Sequence, residues 1–392
     1  MTSSLQIASG WPLPRTDARV KAQAIQALIA NHTLIVGQSR SGKTNAARRL
    51  IEEILTCTQT RVVILDPNAD FRWLEKVSHP KREKEFVDDW QTVANDLGIA
   101  TPGGPAWGIH WSKLSKEEMA AFLRLTPKET FDEYRHLDRQ FNYERKMNSK
   151  IGSLEEFTKS QYFDIAAGEE LERYRLLLQE LAALNVWAKD PKQDLDSLLQ
   201  KNHKVTVVDL SIDDEQVRTI SAARTLEALW RQGEERRKKF LSNSRDPWIG
   251  TLVVIDEGHL FAPPQTEDPR KKLISERIKR FADQGKKLNL FLMVITQQPG
   301  KLHPDVLSEF NNRIILRVNE RRSLRVLEQT YGGISGRYDG ALTFEPGEAL
   351  IEGALLCDEN PPPAEPRGVR FLMARTREGG GTPKANWALP AL

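Results

Sequence analysis

Gly37-Gln38-Ser39-Arg40-Ser41-Gly42-Lys43-Thr44 matches the pattern G-x-x-x-x-G-K-[ST]. It sits between the apolar run His32 to Val36 (HTLIV) and the helical pattern Asn45 to Leu55 (NAARRLIEEIL). A strand, a glycine loop and a helix in that order build an anion site. The glycines let backbone N–H groups converge on phosphate oxygens, and the helix aims the positive end of its dipole at the same anion. Gly37, Ser39, Ser41, Gly42, Lys43, Thr44 and Asn45 are therefore the expected nucleotide contacts. Lys43 would reach the β- and γ-phosphates and the Thr44 hydroxyl would ligate Mg²⁺, so the cofactors called for are ATP and Mg²⁺.

Further apolar, β-branched runs recur at Arg61 to Leu65, Val205 to Val208, Thr251 to Ile255, Leu290 to Ile295 and Arg313 to Val318. Helical patterns at Gln216 to Leu229 and Lys272 to Gly285 alternate with them. The alternation predicts an α/β fold around a mainly parallel sheet buried on both faces. The expected divisions are an N-terminal arm at 1–32, the first part of the core at 33–110, a helical insertion at 111–201, the second part of the core at 202–355 and a tail at 356–392. In the insertion the strand signal vanishes, and Ser115 with Glu118 and Ser153 with Glu156 read as capping boxes. Gly233 to Asp246 (GEERRKKFLSNSRD) reads as a helix end running into an exposed connector. The tail, with NPPPAEP at 360–366 and EGGGTP at 378–383, reads as extended or mobile until something holds it.

A phosphate loop needs a partner strand ending in a carboxylate. Thr251 to Glu257 (TLVVIDE) supplies it: Asp256 would hold Mg²⁺, directly or through water, and Glu257 is the candidate base that polarises the attacking water. Hydrolysis follows, not binding alone. A third strand ends in Thr296-Gln297-Gln298-Pro299, where the neutral amide of Gln297 is the candidate sensor of the γ-phosphate or the lytic water. His259 reads as a packing or hydrogen-bonding residue and not as a metal ligand.

Composition sets the outer bounds. The 392 residues carry 57 Lys and Arg against 54 Asp and Glu, a net charge of +3, too balanced to mark a nucleic-acid binder. Two cysteines exclude a disulfide framework and a cysteine zinc ribbon. No run approaches the ~18 apolar residues of a membrane span, and no secretory signal opens the chain, so a cytoplasmic protein without integral membrane association is expected.

The three motifs, in this order, resemble the HerA/FtsK superfamily of P-loop ATPases, and HerA-type DNA translocases most. LDPNADF (65–71), VVDLS (207–211), the block from Ser275 to Pro299, DVLSEFNNRIILRV (305–318) and PGEALIEG (346–353) belong to the same resemblance. It implies a RecA-like core with a helical insertion, assembled as a homo-oligomeric ring, commonly a hexamer, that hydrolyses ATP at subunit interfaces and pulls duplex DNA through its pore. DNA processing or antiviral defence is the setting implied. By position in the block, Arg280 is the candidate trans residue, with Lys286 and Lys287 as competitors. The plain alternative is that Arg277, Lys279 and Arg280 line the exposed face of an amphipathic helix.

The sequence departs from the family in several places. Arg40 stands where relatives usually have a small residue, Gly285-Lys286-Lys287 lacks an arginine, and the stretch ahead of the first strand leaves no room for the N-terminal β-barrel on which the family docks its nuclease partner. Arg270, Lys271 and Lys272 could grip DNA phosphates or form a solvated helix start. Two other functions fit the same motifs: a peripheral ATPase of a conjugation or type IV secretion machine, and a nucleotide-controlled ring scaffold for a nuclease or other effector.

Overall fold

The computed structural model describes residues 8–9, 25–78, 84–101, 108–147, 153–165, 168–188, 194–201, 203–242, 248–333, 335–356, 366–371 and 373–376. The β-branched runs become strands because they can bury both faces. β2 (Thr33–Val36), β3 (Arg61–Asp66), β5 (Val205–Asp209), β6 (Thr251–Ile255) and β7 (Leu290–Thr296) are buried at every position, and β8 (Asn312–Leu316) nearly so. Together with β4 (Leu97–Ala100) they form the parallel stretch β8-β2-β7-β6-β3-β5-β4. β9 (Glu348–Gly353), β10 (Arg367–Phe371) and the short β1 (Ala8–Ser9) continue the sheet antiparallel beyond β8.

Alternate strand residues feed two separate cores, as the pleat requires. Ile35, Val62, Ile64 and Val254 pack with α1 (Lys43–Cys57) and α2 (Lys84–Asn95). Leu34, Val36, Val63 and Leu65 face the opposite side. Helices between β4 and β5 cover that side: α3 (Lys116–Phe122), α4 (Phe131–Lys146), α5 (Leu154–Thr158), α6 (Tyr162–Ile165), α7 (Glu169–Ala182) and α8 (Leu195–Gln200). Met119, Phe122, Leu137, Phe157 and Leu178 of these helices share one apolar cluster with α9 (Glu215–Ser242) and α10 (Pro269–Gln284). Ser115 closes a full capping box with Glu118, and Ser153 Oγ accepts the Glu156 N–H at 3.1 Å. No helix among the described residues is long and apolar enough to cross a membrane.

The helix end expected within Gly233 to Asp246 extends as far as Ser242. Glu, Arg and Lys are strong helix formers, Trp230 Nε1 donates to Glu234 Oε1 at 3.0 Å, and a Cβ at Gly233 would press on Leu288 and Leu290 at 3.1 Å. Residues 243–247 of that stretch lie outside the described residues.

The C-terminal region, expected to be extended or mobile until something holds it, supplies the extended β10, held by β9, and a segment, 373–376, docked on α1. Its hydrogen-bond partners lie some 300 residues away in sequence. NPPPAEP up to residue 365, EGGGTP and Cys357 lie outside the described residues.

Candidate functional site

Parallel strands β2, β7, β6 and β3 are neighbours in the sheet, so their C-terminal ends share one edge. Ligand sites of open α/β sheets sit there. The phosphate loop leaves β2, Gln297 follows β7, Asp256 and Glu257 follow β6, and residues 67–71 follow β3.

The loop is held from both sides. Gly37 N–H donates to Thr296 O at 3.3 Å and Gln38 N–H to Arg317 O at 2.8 Å. Gly42 adopts φ 100°, and a Cβ there would lie 3.1 Å from the backbone N of Gly347, whose N–H donates to Ser41 O at 2.9 Å. Gly42 is also the N-cap of α1, with no side-chain cap and no acidic residue in the first turn. The N-cap residue thus offers the helix N-terminus no side-chain acceptor, the arrangement an anion completes. Ser41 Oγ is buried without a hydrogen-bond partner, a second polar group suited to a phosphate oxygen. Ser39 and Arg40 are exposed, Arg40 in the left-handed region at φ 62°. Asn45 faces elsewhere: its Oδ1 accepts the Ala374 N–H at 2.7 Å.

Lys43 Nζ donates to Gln38 O at 2.9 Å. Burial lowers its pKa, while Glu257, Asp256 and Asp70 pull it back up. The acidic side of the site is larger than the sequence motifs suggest. Burial pushes the Asp256 carboxyl up to about 8, with the charges of Glu257, Asp66 and Asp70 adding to the rise. Asp66 is raised to about 6 by burial, partly offset by N–H bonds from Phe71, Asp70 and Asn68. Asn68 Nδ2 donates to Asp256 Oδ2 at 3.1 Å, and Thr44 Oγ1 donates to Asp70 Oδ2 at 3.3 Å. Hard oxygen donors and surplus buried negative charge fit Mg²⁺, which is usually held by one or two carboxylates, substrate phosphates and water. Asp66, Asn68 and Asp70 are the residues that motif reading left unassigned, although LDPNADF, directly after a strand, was the available signal.

Glu257 leaves β6 in the left-handed region, at φ 47° and ψ 50°, with its side chain 14% exposed. Gln297 is half-buried beside a cavity of about 570 Å³ that also borders Gln38, Asn319 and Arg322.

The cationic candidates divide. Arg277 is buried, pairing with Glu118 at 2.9 Å and Glu227 at 3.4 Å, which corrects its placement on an exposed face. Its partner Glu118 comes from α3, which lies far upstream. Lys279 is exposed and paired with Asp305. Arg280 is 35% exposed, bonded to Glu227 at 2.8 Å and laid over the Trp230 ring with 4.2 Å to the centroid. Lys286 and Lys287 are exposed, and Lys286 donates to Asn311 Oδ1. Arg270 is spent inside the fold: the N-cap carboxylate of Asp268 holds it at 2.7 Å and Gln216 at 2.7 Å. Lys271 pairs with Glu215 at 2.6 Å, leaving Lys272 exposed.

A phosphate loop and an acidic strand end on two parallel strands, β2 and β6, that flank β7 and share one sheet edge define a P-loop nucleotide hydrolase. The family model "Helicase HerA, central domain" matches residues 7–229, and the chain belongs to the HerA helicase family and is a P-loop ATPase. It is 24% identical over 417 residues to the DNA double-strand break repair helicase HerA of Pyrococcus furiosus, covering 95% of this chain and 71% of that protein. A probable helicase of Methanocaldococcus jannaschii is 23% identical over 90% of this chain and 69% of its own.

Among solved structures, VirB4 of Thermoanaerobacter pseudethanolicus shares the fold with a TM-score of 0.60 at 15% identity, covering 88% of this chain and 90% of that one. The plasmid coupling protein TrwB in complex with ADP and Mg²⁺ does so with a TM-score of 0.57 at 13% identity, covering 96% and 91%.

Proposed function

We propose that this protein is an ATP-driven translocase of duplex DNA, working in the cytoplasm as a homo-oligomeric ring, most simply a hexamer, in DNA processing or antiviral defence. One observation carries the reading: in a chain of the HerA family, Lys43 shares its electrostatic surroundings with Asp256, Glu257 and Asp70 at one sheet edge. The backbone N–H groups at 41–45 bind the phosphates, and Lys43 neutralises charge between the β and γ positions. Thr44 and Asp256, the latter directly or through water, would hold Mg²⁺, which when bound would supply electrostatic stabilisation of the transferring phosphoryl group. Glu257 takes the proton of the attacking water, and Gln297 offers it a neutral hydrogen-bond partner. Arg280, presented half-exposed by Glu227 and Trp230, completes a neighbour's site in trans, a contribution of about 10³- to 10⁵-fold for arginine fingers. A nuclease or other effector is the proposed further partner.

ATP turnover with and without duplex DNA across a salt series tests this reading. Duplex DNA is expected to stimulate turnover, with the stimulation falling steeply as salt rises. Lys43→Ala should abolish nucleotide use. Glu257→Gln should bind ATP and hydrolyse it at least ~10²-fold more slowly, as loss of a general base would. Near-normal turnover by Glu257→Gln would remove it as the base, and DNA-independent turnover with a tightly co-purifying protein would favour the scaffold function.

A further inference from the structure

His259 lies two residues past Glu257, on the one-turn 3₁₀ helix Gly258–Leu260 that follows β6, with 12% of its side chain exposed. Its Nδ1 stands 3.3 Å from Glu257 Oε2 and 3.2 Å from Thr296 Oγ1. Oε2 is buried and has no aligned hydrogen bond, while Thr296 Oγ1 already accepts the Gln298 N–H at 3.1 Å. An ionised carboxylate has only lone pairs to offer, so Nδ1 is attracted to it only when carrying the proton. With the proton on Nδ1, Thr296 Oγ1 can still lend a second lone pair to the same N–H. With the proton absent from Nδ1, two lone pairs would face each other across 3.3 Å in a buried place. Catalytic hydrogen bonds are commonly loose before the transition state and tighten within it, which fits a contact short in distance and poor in alignment.

We infer that His259 is a positioning residue for hydrolysis: its Nδ1–H anchors the inner oxygen of Glu257, turns the outer oxygen toward the attacking water, and ties the base to Thr296 at the tip of β7. This rests on Glu257 being the base. Glu257 leaves β6 with a left-handed backbone at φ 47°, a strained conformation of the kind that persists where the surroundings over-determine it. The coupling also links β6 to the strand that carries Gln297, so a change at the β7 tip reaches the base through a single imidazole.

The test measures steady-state ATP turnover and equilibrium binding of a non-hydrolysable ATP analogue for His259→Ala, His259→Asn, His259→Gln and Glu257→Gln in the full chain. His259→Ala should lower kcat about 10- to 100-fold, the range for losing a hydrogen bond to a charged group, while analogue affinity stays within about twofold. The Asn side-chain amide can overlay Nδ1 and should recover most of the rate, whereas Gln places its amide near Nε2 and should not. In a Glu257→Gln background, His259→Ala should lower the residual rate no further. Unchanged kcat in His259→Ala, equal loss in Ala and Asn, loss of analogue binding in His259→Ala, or an additive loss in the double variant would each overturn the inference while leaving Glu257 as the base. Near-normal turnover by Glu257→Gln alone would instead overturn the base assignment, and the inference with it.

Discussion

Asp256 titrates far from where an exposed aspartate would. Its folded pKa of about 8 lies above the ordinary 3.8, so between those values the folded chain binds a proton that the unfolded chain has released. The contribution to stability is fully present below the unfolded value and is lost as pH rises through about 8. Thermal unfolding should therefore show the parent chain losing stability relative to Asp256→Asn as pH rises across this window; parallel curves would refute it. Because Mg²⁺ binding needs the ionised carboxylate, affinity for a magnesium nucleotide should rise over the same range, and titration calorimetry at either end of it measures this. Lys43 and Thr44 were legible from spelling alone, since a contiguous motif specifies its own backbone. Asp66, Asn68 and Asp70 were not, because what makes them neighbours of Asp256 is the pairing of β3 with β6.

At the scale of elements, α1 is a nucleotide helix clasped from behind. Glu52, fully buried, accepts from the Arg375 N–H, the Thr376 N–H and the Thr376 hydroxyl, each at 2.8 Å, and pairs with Arg49 at 3.2 Å. Arg48 donates to Thr376 O, and Asn45 Oδ1 holds Ala374. Removing Glu52 takes one carboxylate from Arg49 and three acceptor contacts from the 373–376 segment. Glu52→Ala is expected to cost about 3–5 kcal/mol, the range for breaking a buried pair, as read by denaturant midpoint. A loss below about 1 kcal/mol would mean the clasp is incidental. Nothing in the charge pattern RRLIEE announces this, for its partners lie beyond residue 370. The course of α9 past Gly233 involves a related long-range contact, since Leu288 and Leu290 pack against that glycine.

The whole molecule is a sheet with two cores whose functional edge collects loops from four neighbouring strands. The insertion helices are bound to the core helices by buried charge: Glu118 meets Arg277 at 2.9 Å and Arg224 at 3.6 Å, and Arg224 meets Asp196 at 2.6 Å. Arg280 joins the same charge network through Glu227, which also pairs with Arg277. If Arg280 acts in trans in the proposed ring, mixing Arg280→Ala subunits with Lys43→Ala subunits should partly restore ATP turnover at mixed interfaces. No restoration at any ratio would count against Arg280 as the trans residue.

The nucleotide loop, its helix and the α/β class were written in the linear order of residues. Backbone geometry around a phosphate is local, and β-branched runs alternating with helical patterns leave few ways to stack. Tertiary packing decided the rest: which carboxylates crowd Asp256, which arginines are spent on Asp268 and Glu118, and what the C-terminal segment holds. Those outcomes depend on the desolvation and pairing of groups tens to hundreds of residues apart, and burial and charge neighbours exist only once the sheet has formed.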